Sequence, residues 1–85
     1  MKYIAEINIM PHRELLDPQG KTVVKNMSNV DIHGVTDARI GKHITLTIEA
    51  DTEDAARETV DTACRKLLAN LIMETYTFTL LPAEA

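Results

Sequence analysis

Three stretches of this chain alternate apolar and polar residues one for one, and that period constrains the fold more than any other feature. In residues 2–10, Tyr3, Ala5, Ile7 and Ile9 fall on one side and Ile4, Glu6, Asn8 and Met10 on the other, the period-2 signature of a strand that Pro11 ends. From 35 to 50 the even positions Ala38, Ile40, Ile44, Leu46 and Ile48 are apolar, while Asp37, Arg39, His43, Thr45, Thr47 and Glu49 fill the odd ones. After Asn70, Tyr76, Phe78 and Leu80 alternate with Thr75, Thr77 and Thr79. The middle run is long for one strand. A loop at Gly41-Lys42 would set Ile40 opposite Ile44 and Ala38 opposite Leu46, which favours a hairpin, although one long bent strand keeps the same parity.

Between these runs the period changes to that of helices. Asp17 can cap a first helix whose initial residue is Pro18, where proline's missing N–H costs nothing. Val23, Met27 and Val30, with Val24 beside them, then share one face, and Gly34 closes the following turn. A second helix begins at Asp51 or Thr52. Glu53 and Asp54 suit its positive end, and Ala56, Val60, Ala63, Cys64, Leu67, Leu68 and Leu71 form its apolar stripe. Glu53 with Arg57 and Asp61 with Arg65 add pairs at i,i+4. The order is βαββαβ, which predicts an α+β, ferredoxin-like fold: a mainly antiparallel four-stranded sheet with two helices on one face. The other face, with Ile4 and Met10, would meet solvent, a ligand or a second copy of the sheet.

Eighty-five residues and 9.5 kDa suit a single domain, 1–85, with 82–85 as a short tail. A domain this small buries only roughly 60–65% of its unfolded surface, so association with another copy is expected. The net charge of −4 is uneven: residues 1–45 hold six Lys or Arg against five acids, and 46–85 hold three against eight. With only Tyr3, Tyr76 and Phe78 as aromatic residues, neither a phosphate-tracking surface nor a base-stacking platform is indicated, so nucleic acid is not an expected partner. No run nears the ~20 apolar residues of a membrane span, Glu6 sits where a signal peptide would be apolar, and the single Cys64 allows no internal disulfide. A cytoplasmic protein is expected.

Chemistry is hard to find. Cys64 shares the helical stripe with Val60 and Leu68 and reads as a core residue. His12, His33 and His43 show no metal-ligand spacing, so no metal is expected. Ser28, the only serine, has no triad around it, and Gly20, Gly34 and Gly41 are too isolated to cradle phosphate. The acids Glu49, Asp51, Glu53 and Asp54 fit a helix start better than a cation site. No catalytic residue is therefore assigned. Two loop-side segments are left, Leu16-Asp17-Pro18-Gln19-Gly20 and Ala38-Arg39-Ile40-Gly41-Lys42; a helix start and a turn account for Asp17, Pro18 and Gly41 but leave Gln19, Arg39 and Lys42 unexplained.

At these segments the chain resembles the PurS family, the small subunit of phosphoribosylformylglycinamidine (FGAM) synthase. Leu16-Asp17-Pro18-Gln19-Gly20, Arg39-Ile40-Gly41-Lys42 with Leu46-Thr47-Ile48-Glu49, and Cys64-Arg65-Lys66-Leu67-Leu68-Ala69-Asn70 with Glu74-Thr75-Tyr76 resemble that family's first helix, central strands, and second helix with final strand, in order. Where the family often has proline after the Asn, Leu71 stands here. The resemblance implies a non-catalytic part in the fourth step of purine biosynthesis, in which formylglycinamide ribonucleotide becomes its amidine. It implies a large synthetase subunit holding ATP and Mg, a glutaminase subunit releasing ammonia, and a PurS dimer or tetramer that joins the two and assists ammonia transfer. No cofactor is then expected on this chain, and Asp17, Gln19, Arg39, Lys42 and Asn70 become candidate partner contacts. Two readings from other classes stay open. A dimeric ferredoxin-like sensor would need a Gly-rich ligand loop, and a stand-alone acid–base enzyme would need His or carboxylate pairs that converge in space.

Overall fold

A computed structural model of the protein describes residues 1–83. Strands β1 (Lys2–Pro11), β2 (Lys42–Glu49) and β3 (Glu74–Pro82) form one antiparallel sheet in the order β2-β1-β3. Helix α1 (Pro18–Met27) lies between β1 and β2, and helix α2 (Glu53–Ala63) between β2 and β3.

The register follows the alternation. Ile7 faces Ile44 on one side and Phe78 on the other, and Ala5 faces Leu46 and Leu80 in the same way. Every apolar alternate therefore lies on one face, where Val60 and Cys64 of the α2 side are buried in one cluster with Ala5, Ile7 and Ile9, and Ala56 of α2 is buried as well. Each buried isoleucine or valine among them contributes about 1.5–3 kcal/mol, and the alanines less. The caps form as the sequence predicts: Thr52 accepts from the Ala55 N–H at 3.1 Å, and Arg65 meets Asp61 at 2.9 Å.

Three expectations need correction, and the open question of the second face gains a partial answer. The expected four-stranded sheet has three strands among the described residues: 35–41 has no regular secondary structure and pairs with no strand, so no hairpin forms at Gly41-Lys42 and only the parity of the long run survives. The α2 stripe stops short. After Ala63 the helix widens into a π turn, with the Ala69 N–H bonding to the Cys64 carbonyl five residues back, and the extra residue swings Leu67 out to 81% exposure and leaves Leu71 on the surface. The expectation of two helices over one face holds for α2 alone. Gly20 is the single buried residue of α1, and beyond that helix Val30, Ile32 and Val35 are exposed. Finally, the face turned away from α2 is largely polar, carrying Thr45, Thr47, Thr75, Thr77, Thr79, Asn8 and His43 around Ile4, Met10 and Leu81. Apolar burial gives it little tendency to stack on another sheet. Of the expected tail 82–85, Pro82 ends β3 and residues 84–85 lie outside the described part.

The resulting outline is long and thin, 50 × 29 × 15 Å, with a radius of gyration of 16.6 Å. A compact chain of this length would have about 12 Å. The length comes from α1 and residues 28–41, an arm that leaves the sheet and returns to it.

Candidate functional site

The arm is tied to the sheet where β1 ends and β2 and β3 begin, and most of the candidate contacts meet there. Asp17 caps α1 by accepting from the Gly20 N–H at 2.9 Å, and its second oxygen accepts from the Ile40 N–H at 2.8 Å, joining the two ends of the arm through one carboxylate. These two backbone donors, helped by the Arg39 guanidinium 3.9 Å away, hold the Asp17 carboxyl below its ordinary value of 3.8. Arg39 turns its fork on the carbonyls of the preceding loop, donating to His12 at 2.7 Å, Arg13 at 3.2 Å and Pro11 at 3.4 Å. Asp17 and Arg39 thus spend their polar atoms inside the chain.

A second cluster sits at the start of β3. Lys42 reaches the Leu68 carbonyl and the Glu74 carboxylate, each at 3.5 Å. The other Glu74 oxygen accepts from the Asn70 N–H at 2.8 Å, and Asn70 Oδ1 accepts from the Ile72 N–H, so Asn70 shapes the 70–74 turn. That turn, with Pro11, Leu15 and Leu16, lines a cavity of about 280 Å³. Its lining is apolar at Leu15, Leu16 and Met73, with Leu16 68% exposed, and on the turn beside it Ile72 is 87% exposed. Gln19 stands apart, beside Pro18, Thr22 and Ile40 on an open groove.

Sequence reasoning missed the groups that make these ties fit. Gly20 sat unremarked in the helix-start segment and Gly41 read as a turn residue, but each marks a close approach: a Cβ at Gly20 would overlap the Ala38 carbonyl oxygen, and one at Gly41 the Ile9 carbonyl oxygen. Glu74 stood out only as part of the family motif and was given no role, because an isolated acid at the head of a strand has many uses. Elsewhere the chemistry is local. Tyr76 donates to Asp61, which lowers the carboxyl and raises the phenol, while burial pushes the Cys64 thiol up. His12 lies 3.2 Å from the Leu71 carbonyl, His33 beside Asp31, and His43 beside Asn8; among the described residues no three His, Cys, Asp or Glu side chains gather.

Fold and site define a small α+β subunit with an open three-stranded sheet, an arm pinned at its base, and an apolar rim at one end. The family model for PurS, phosphoribosylformylglycinamidine (FGAM) synthase, matches residues 4–82. The PurS subunit of phosphoribosylformylglycinamidine synthase from Synechocystis sp. is 38% identical over 82 residues, covering 96% of this chain and 82% of that protein. Among solved structures, Thermus thermophilus PurS superposes with a TM-score of 0.88 at 29% identity over 99% of this chain and all of that one. PurLQS from Thermotoga maritima contains a chain with a TM-score of 0.89 at 30% identity, covering 95% of this chain and 99% of that one. The chain belongs to the PurS family.

Proposed function

We propose that the chain works as the PurS subunit of FGAM synthase, joining the synthetase and glutaminase subunits and assisting the passage of ammonia between them in purine biosynthesis. Membership of the family over residues 4–82 carries this reading, supported by the Thermotoga maritima relative found in a PurLQS structure. The absence of a long apolar helix among the described residues is in keeping with a cytoplasmic assembly. ATP and Mg belong to the large subunit, and this chain contributes surface rather than a cofactor site.

The surface it offers is at the apolar rim, Leu16, Leu71 and Ile72, with Gln19 on the neighbouring groove. Arg39 and Asp17 act one step back by fixing the loop and helix that carry these residues. Copies of the chain pair, in a dimer or a tetramer, and the fourth strand of the ferredoxin-like sheet is completed in the pair. Its exposed area of 6323 Å² is about 1,300 Å² above the roughly 5,000 Å² expected for a compact chain of this mass. A stable interface takes about 800 Å² per partner, so the surplus suffices for one.

The test is glutamine-dependent amidine formation by the other two subunits, with and without this chain. Activity that requires the chain, and falls at least tenfold with Ile72→Asp, supports the role. Full activity without it refutes the role.

A further inference from the structure

His12 follows the last residue of β1, half-buried, and bonds leave it in three directions. Its N–H donates to the Met73 carbonyl at 2.9 Å, one step beyond the β1–β3 ladder. Its carbonyl accepts on both lone pairs, from Arg39 Nη2 at 2.7 Å and from the Leu15 N–H at 3.1 Å. Its ring sets Nε2 3.2 Å from the Leu71 carbonyl. A carbonyl only accepts, so Nε2 carries the hydrogen and donates it.

The turn that His12 meets is closed on itself by Asn70, whose carbonyl accepts from the Met73 and Glu74 N–H groups at 2.9 and 2.7 Å and whose side chain accepts from the Ile72 N–H. Leu71, Ile72 and Met73 on it are all exposed, so no apolar packing fixes its shape and polar ties must do so. Among the described residues, both bonds that fasten these three residues to the loop after β1 come from His12, one from its backbone and one from its ring. Through its carbonyl the same residue holds Leu15, which lines the cavity of about 280 Å³ together with Leu16 and Met73. We infer that His12 is the positioning residue of the apolar rim: its ring, seated by the Arg39 fork and two backbone bonds, grips the Leu71 carbonyl and sets how Leu71 and Ile72 are presented. The backbone bonds survive substitution, so the ring bond is the part the side chain decides. A rim ordered in advance does not have to be ordered when a partner arrives, and affinity gains by that saving.

The inference rests on the rim surface proposed above, and its test separates the two. Glutamine carries its side-chain nitrogen as many bonds from the backbone as histidine carries Nε2, whereas asparagine falls one bond short. His12→Gln should therefore keep the tie to Leu71, and His12→Asn and His12→Ala should lose it. In the chain alone, the Met73 and Glu74 amides of the latter two variants should exchange about fivefold faster than in the parent, as one lost hydrogen bond implies, with urea midpoints unchanged because the opening is local. With the synthetase and glutaminase subunits present, the concentration of chain that gives half-maximal amidine formation should rise about fivefold in the same two variants and stay near the parent's in His12→Gln. Unchanged turn amides in His12→Asn, a His12→Gln as impaired as His12→Ala, or loosened amides with undiminished assembly each overturn the inference. A parent that supports no amidine formation overturns the proposed function instead, and the exchange rates then still decide whether His12 holds the turn. Should His12→Ala lose its fold, His12→Asn and His12→Gln decide alone.

Discussion

The sheet with α2 and the arm with α1 both place apolar residues at strand and helix spacing, yet only the first closes within one chain. In the sheet half, Ala5, Ile7 and Ile9 meet Val60 and Cys64 and lose all contact with water. The arm half has valines and a methionine at helical spacing and an alternating run behind them, but among its residues only Gly20 is buried. Periodicity dictates which face of an element is apolar. It does not dictate which sheet that face will meet, or in which copy of the chain.

The most damaging way to break the contrast is to attack the closed half. Ile7→Ala removes a fully buried side chain at the centre of the three-stranded register and should cost about 2–5 kcal/mol in urea unfolding, enough to unfold much of so small a chain. Val30→Ala, two-thirds exposed on the arm, should cost under about 0.5 kcal/mol in the same measurement. Equal losses would erase the distinction.

Gly20→Ala acts on the joint between the halves. The new methyl group meets the Ala38 carbonyl, and accommodating it should cost about 1–3 kcal/mol. The arm should loosen first, read by hydrogen exchange as protection lost at the start of α1 while β1 keeps its own.

Acid loosens the same joint more gently. The Asp17 carboxyl is held below its ordinary 3.8 in the folded chain by the Gly20 and Ile40 N–H groups. The carboxylate therefore stabilises the fold above the unfolded value, and that contribution is lost as pH falls through the folded one. Between about pH 5 and pH 3 stability should decline, and Asp17→Asn should flatten part of that decline, checked by thermal melts across the range. An unchanged profile would mean that the carboxylate tie contributes nothing. Smallest of all, Thr77→Val on the polar face should shift stability by less than about 0.5 kcal/mol, measured by the same unfolding.

Much of this was legible in the sequence. The three alternating runs gave the parity of every strand residue; Asp17 with Pro18, and Thr52 with Glu53 and Asp54, marked both helix starts. The motifs at 16–20 and 39–42 pointed to the right family, and Asp17 and Ile40 bring the two motifs together at one corner of the molecule. What could not be read was the use made of that corner. Arg39 suggested a surface waiting for a partner because a turn left its charge unexplained, and Asp17 read as a helix cap, whereas the guanidinium and the second carboxylate oxygen are directed at backbone groups distant in sequence. Local pattern also cannot distinguish a hairpin from a strand that finds its neighbour elsewhere, since 35–41 has the same alternation in either case. The π turn after Ala63 was equally silent, because Leu67 and Leu68 suit an α-helical stripe until one residue is added.

The claim that one half closes alone and the other only in company is tested most directly by hydrogen exchange at a series of protein concentrations. The account predicts that β1 amides stay protected at every dilution, while the amides of 35–39, which have no acceptor in their own chain, are protected when concentrated and exchange freely when dilute. Protection of 35–39 that does not vary with concentration, or is absent even where the protein is associated, would contradict it.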